Sequence, residues 1–233
     1  MEIIHIINRG VDKRDIFKDD EDRFRFIHDL FEFNDINNVQ NNFYAFKGIK
    51  NNDIRYRYIG ANNANRKTRK LIVNLHAFCL MQNHYHLLAS PLVGSGLPLF
   101  MQKLNGGYSR YFNRKHKRRG SLFESRYKAI KVINESHFIH LPFYVHLNPL
   151  DYSYPTWRER QLENPRSAFD KLLKYRWSSH LDYLGIKNFP SLTQREFFNE
   201  FFGGPAEYKK SIYDWLSQIS ILTISDIVKF IWN

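Results

Sequence analysis

The stretch Leu75-His76-Ala77-Phe78-Cys79-Leu80-Met81-Gln82-Asn83-His84-Tyr85-His86-Leu87-Leu88 decides how this chain is read. A mostly apolar run ends at Met81, a Gln82-Asn83 break follows, and a second run starts on the histidines. Two short runs around a polar break predict a pair of strands joined by a turn. On a strand, side chains at i and i+2 share a face. His84 and His86 then stand side by side while Tyr85 points to the opposite face. Two imidazoles at that spacing are half of a metal site, and they also occur as plain structural residues.

Working outward, residues 3–8 form a β-branched run that reads as a first strand, closed by Arg9-Gly10. Residues 19–33 read as a helix. Its acidic start (Asp19 to Asp22) suits the positive end of the helix dipole, and Phe24, Ile27, Leu30 and Phe31 form one apolar stripe. Strands over 71–81 and 84–90, a helix over 99–115, a strand over 123–132 and a helix over 136–147 follow. The order is β-α-β-β-α-β and then a helix. It predicts an α+β, ferredoxin-like core with helices on one face of an antiparallel sheet. Residues 1–149 form that core, with an Asn-rich insertion at 34–70 that carries a strand near 43–46 and a basic end at 66–70. Residues 150–233 read as a mainly helical C-terminal extension.

Net charge is +12 and the pI about 9.7, which favours a polyanionic partner, most often nucleic acid. Cys79 is the only cysteine, so disulfide frameworks and multi-cysteine zinc sites are excluded. No 18-residue apolar run exists and the N-terminus lacks a signal-peptide pattern, so the expectation is a cytoplasmic protein with no membrane partner.

To hold a metal, the histidine pair needs more ligands. His140, Tyr144 and Asn148 are spaced by four and share a face if their helix is continuous across Pro142. An Asn carbonyl is a hard ligand that suits Mg²⁺ or Mn²⁺ beside two imidazoles. Near such an ion, a tyrosine can attack a phosphodiester and keep the bond energy in a phosphotyrosine, ready for resealing without ATP. The phenol, with an ordinary pKa of ~10, needs a nearby cation or base. Each residue also has a plainer reading: Tyr144 as core, Asn148 before Pro149 as a helix stop.

These residues resemble the HUH-type single-tyrosine transposases, specifically the REP-associated tyrosine transposases of the IS200/IS605 group. The resemblance is carried by His5-Ile6-Ile7-Asn8-Arg9-Gly10, by Met81-Gln82-Asn83-His84-Tyr85-His86-Leu87-Leu88, and by Gly120-Ser121-Leu122-Phe123-Glu124-Ser125-Arg126-Tyr127-Lys128. Tyr144-Val145-His146-Leu147-Asn148-Pro149, Tyr175-Arg176-Trp177-Ser178-Ser179-His180 and Leu184-Gly185 complete it. Where that family continues after Asn-Pro with a basic residue, a small residue and Gly, this chain has Leu150-Asp151-Tyr152-Ser153.

The resemblance implies an enzyme that nicks and joins single-stranded DNA at hairpin-flanked sites. It implies His84, His86 and Asn148 as ligands of Mg²⁺ or Mn²⁺, and Tyr144 as nucleophile. Read from the residues themselves, Tyr127 is the runner-up nucleophile, ranked below Tyr144 because no ligand-type residue sits four positions on. Arg114, Lys115, Lys117, Arg118, Arg119, Arg126 and Lys128 are the expected DNA contacts, neutralising phosphates without reading sequence. The partner is single-stranded or hairpin DNA, and the protein a monomer or homodimer. The rival readings are a replication initiator or relaxase with the same chemistry, and a domesticated nucleic-acid-binding module with an idle site.

Overall fold

The computed structural model describes residues 2–37, 69–132, 135–159, 162 and 164–218, without the side chains of 135–140, 159 and 218. Most of the Asn-rich insertion, with its expected strand near 43–46, lies outside the described residues.

Strand β1 (Ile4–Arg9) is followed by helix α1 (Asp20–Glu32), whose start is capped by Asp19: its carboxylate accepts from the Asp22 N–H at 2.9 Å. Strands β2 (Val73–Leu80) and β3 (His84–Pro91) form the hairpin read from the sequence. Helix α2 (Gly96–Lys115), the short strand β4 (Lys128–Lys131) and helix α3 (Glu135–Leu147) complete the core elements. The sheet order is β2-β3-β1-β4 with every pair antiparallel, the ferredoxin-like arrangement.

Alternation along the strands sorts side chains into two clusters, one per face. Ile4, Ile6, Leu75, Phe78, Tyr85 and Leu87 pack with Phe24, Phe26, Ile27 and Leu30 of α1 and Phe100, Leu104 and Tyr108 of α2. Those two helices share one face, as expected. Gly107 is required where they meet, because a Cβ there would lie 2.3 Å from the Phe33 ring. Ile7, Ala77, Cys79 and Leu88 face the other way and pack with α3 and the helices that follow it: α4 (Pro165–Lys174), α5 (His180–Tyr183), α6 (Glu196–Phe202) and α7 (Pro205–Gln218). Both faces of the sheet are therefore covered.

The β2 edge is closed by main chain from residues 177–194. Leu80 N–H donates to Trp177 O, Ser179 N–H to Phe78 O and Gln194 N–H to Leu75 O. Closing that edge removes a template for unwanted strand pairing.

Two boundaries differ from the sequence reading. Helix α2 begins at Gly96, three residues before the expected start. The strand expected over 123–132 is confined to Lys128–Lys131, with an isolated bridge between Phe123 and Gly10. The Asn8 side-chain amide donates to the Ser125 and Arg126 carbonyls, and Asn105 donates to Arg126 as well. Side chains thus take the carbonyls that a longer ladder would use. Helix α3 runs as one assigned element through Pro142. Among the described residues, no helix is long and apolar enough to cross a membrane.

Candidate functional site

The site is built on the face of the sheet that meets α3. The register pairs Arg9 with His84 and Ile7 with His86, so His5, Ile7 and Arg9 share a face with the histidine pair. The rings of His84 and His86 lie edge to face with centroids 5.0 Å apart. Tyr85 takes the other face as expected, its hydroxyl donating to Asn105 Oδ1 at 2.7 Å.

His5 stacks on His86 at 5.2 Å, and its Nε2 lies 3.0 Å from His86 Nδ1. One of these nitrogens donates to the other. If His86 Nδ1 carries the proton, the lone pair of its Nε2 faces away from His5. That Nε2 is buried and makes no hydrogen bond among the described residues. His84 Nδ1 donates to Asn83 Oδ1 at 2.6 Å, which leaves the lone pair on Nε2. Such partners fix the tautomer of metal-binding histidines. His5 Nε2 is taken up by this contact with His86.

Burial sets the charge state of the pair. It pushes His5 down to about 3. Burial, with the Arg9 and Arg158 charges behind it, does the same for His84. His86 falls well below its ordinary value through burial, its two neighbouring imidazoles and the same two arginines. All three rings are neutral at neutral pH, the form that binds metals.

Helix α3 brings Tyr144 to this cluster. Its ring stands edge-on to both His5 and His86, at 5.8 Å from each centroid. Asn148 follows the last residue of α3, where the sequence reads a helix stop. Its Nδ2 caps the helix, donating to Tyr144 O at 2.7 Å and to Val145 O at 3.3 Å. Its Oδ1 accepts from Arg158 Nη2 at 2.8 Å. A carbonyl oxygen has two lone pairs, so one remains. The guanidinium of Arg158 also pairs with Asp151 and lies 5.7 Å from the Tyr144 ring centre. Tyr144 itself is 1% exposed.

A buried polar network braces α3 from behind. His146 Nε2 lies 2.7 Å from Ser179 Oγ and its Nδ1 lies 2.7 Å from Tyr208 Oη, which also contacts His180 Nδ1 at 2.9 Å. Ser179 Oγ in turn accepts the Phe78 N–H of β2. The helix that carries Tyr144 is thereby tied to the sheet, α5 and α7.

His84, His86, Tyr144 and Asn148 are thus gathered at one place. The donor set, two neutral imidazoles and an amide oxygen, fits a divalent ion. Among the described residues, no group of three or more His, Cys, Asp or Glu stands ready for a metal. The His140 side chain lies outside the described residues. Tyr127 packs with the α1/α2 cluster, on the opposite face from the histidine pair.

The expected DNA contacts separate into two groups. Arg114, Lys117, Arg119, Arg126 and Lys128 are exposed. Arg118 is half-buried and bonded to Asn113 Oδ1 and Ser121 O. Lys115 is instead engaged by Asp19, Glu21 and the buried Asp22. Burial alone lowers its ammonium, but the bonds to Asp19 and Asp22 win and raise it.

Three contributors escaped the sequence reading. His5 and Arg9 follow from the alternation of β1, but only once its register with β3 is known. Arg158 has no local signal at all.

Residues 45–148 match the family model described as Transposase IS200 like. That span contains His84, His86, Tyr144 and Asn148. The solved structure described as "Structure of the REP associates tyrosine transposase bound to a REP hairpin" is similar with a TM-score of 0.43 and 8% identity, over 81% of this chain and 83% of that one. No curated protein matches the chain.

Proposed function

We propose that this chain, similar to IS200-like transposases over residues 45–148, nicks and rejoins single-stranded DNA through a covalent bond to Tyr144. The observation that supports this reading most is the Tyr144 ring standing edge-on to His86, on the face that also carries His84. His84, His86 and Asn148 would hold a divalent ion, Mg²⁺ or Mn²⁺, which when bound would draw charge from a non-bridging phosphodiester oxygen.

The chain's own residues do the rest. His5 and Asn83 orient the two imidazoles, and the network behind α3 holds the tyrosine in place. Tyr144 Oη forms a bond to phosphorus while the bond from phosphorus to the adjoining nucleotide oxygen breaks. The phenol proton ends on the departing hydroxyl by way of solvent. Attack by a hydroxyl in the reverse sense rejoins a strand and restores the phenol.

The exposed cations Arg114, Lys117, Arg119, Arg126 and Lys128, with Arg118, neutralise phosphates of single-stranded or hairpin DNA. Lys115 contributes little, because three carboxylates already offset its charge. Residues 1–149 carry the chemistry, and the described residues beyond 149 support α3 and close the β2 edge.

The test is a denaturing gel with labelled single-stranded DNA that includes an imperfect hairpin. The unaltered protein should form an adduct that EDTA suppresses, and Tyr144→Phe should form none while still binding DNA. An adduct that persists in that variant moves the nucleophile elsewhere. Binding with no adduct under any condition favours the idle-site reading.

A further inference from the structure

We propose that Arg158 grips a non-bridging oxygen of the phosphodiester presented to Tyr144. This rests on the tyrosine being the nucleophile, and it supplies the cation that such a nucleophile needs close by.

The argument starts from where the guanidinium is held. Arg158 belongs to a 3-10 turn, Trp157–Glu159, with no sequence link to the histidine hairpin. Its two arms are tied by Asp151 and by Asn148 Oδ1, so the planar fork is fixed beside the tyrosine ring rather than sampling solvent. Trp157 backs it, with its ring centre 4.5 Å from the guanidinium carbon.

The fork is not saturated. Two bonds are made by the terminal nitrogens, and Nε is buried with no hydrogen-bond partner among the described residues. A buried N–H on a charged group is costly to leave without an acceptor. An anionic oxygen is the acceptor that a guanidinium fork matches best, through short, charge-assisted bonds. The side chain is 19% exposed while Tyr144 is 1% exposed, so an incoming phosphate can meet the arginine before the phenol. The guanidinium and the His86 ring both stand beside the Tyr144 ring, 5.7 and 5.8 Å from its centre, so one oxygen can face the arginine while another faces the imidazole pair.

Two measurements test this. In the first, inorganic phosphate is titrated against ¹⁵N-labelled protein while the Arg158 Nε–H resonance, assigned by its loss in Arg158→Lys, is followed. The resonance should move to a saturable limit, a response that a purely structural arginine would not give. A resonance that stays still at saturating phosphate overturns the proposal. The second measures the rate of adduct formation on a labelled, degenerate single-stranded DNA pool. Arg158→Gln should slow it by about 100-fold, the scale of losing one transition-state donor. Arg158→Lys keeps the charge without the fork and should recover part of that loss. An Arg158→Gln rate within about twofold of the unaltered protein also overturns the proposal, whatever the resonance does. If the resonance responds but the unaltered protein forms no adduct, the nucleophile assignment fails and the phosphate site at Arg158 stands.

Discussion

Acidifying the solution should unfold this protein through its buried histidines, well above the range where carboxylates titrate. His5, His84 and His180 are each pushed down by burial from an ordinary 6.5 to about 3. Each is neutral in the folded chain, and each takes up a proton near its ordinary value once the chain unfolds. Because the folded values lie below the unfolded ones, the unfolded state binds more protons, and stability falls as pH drops from 6.5 toward 3. Each such group costs about 1.4 kcal/mol per pH unit over that window, or about 2 kcal/mol between pH ~7.5 and pH ~5. The three together remove about 6 kcal/mol, against about 5–15 kcal/mol for the whole stability of an ordinary domain. His86 and His146 are shifted the same way and add to the loss. The assay is urea unfolding at steps from about pH 7.5 to about pH 5, followed by circular dichroism. The midpoint should fall steadily across that window, and His180→Gln should flatten the slope by roughly one proton's worth. A midpoint that holds level to about pH 5 and then collapses near the carboxylate range would refute the reasoning.

Other perturbations separate scaffold from site. His5→Ala should weaken Mn²⁺ binding by about 10- to 100-fold, as measured by calorimetric titration, because His86 loses the partner that orients it. Lys115→Ala should destabilise the fold by about 1–3 kcal/mol in urea unfolding, since the buried Asp22 loses a partner, and should leave the salt dependence of DNA binding nearly unchanged. Arg119→Ala should do the reverse, lowering the slope of log affinity against log salt by about 0.7–0.9 with little effect on unfolding. Gly107→Ala should cost about 1–3 kcal/mol in the same unfolding assay, because the added carbon meets the Phe33 ring.

Local rules carried the elements and the pairing of functional side chains within them. Period-two alternation put His84 and His86 on one face and Tyr85 on the other, and the acidic start of α1 marked where that helix begins. Spacing by four brought Tyr144 and Asn148 to the same end of α3. These properties depend on residues a few positions apart, which is the range over which backbone periodicity acts. The apolar stripe of α1 was legible too, although Phe26 joins the buried set and Phe31 is only half-buried.

What only the tertiary structure decided lies at longer range. His5 reaches His86 across 81 positions, and nothing in either strand alone gives the register that joins them. Arg158 arrives from a turn beyond the core, recruited by Asp151 and Asn148. Lys115 reads as one more cation in a basic run until three carboxylates of the α1 region close on it. The strand ending at Lys131 is shorter than its alternation implies because Asn8 and Asn105 claim its neighbouring carbonyls. Sequence determined the hairpin, the histidine pair and the tyrosine-asparagine spacing. Chain folding alone decided which charges stand around them and how each imidazole is oriented, because hydrogen bonds and burial depend on distance in space and not on distance along the chain.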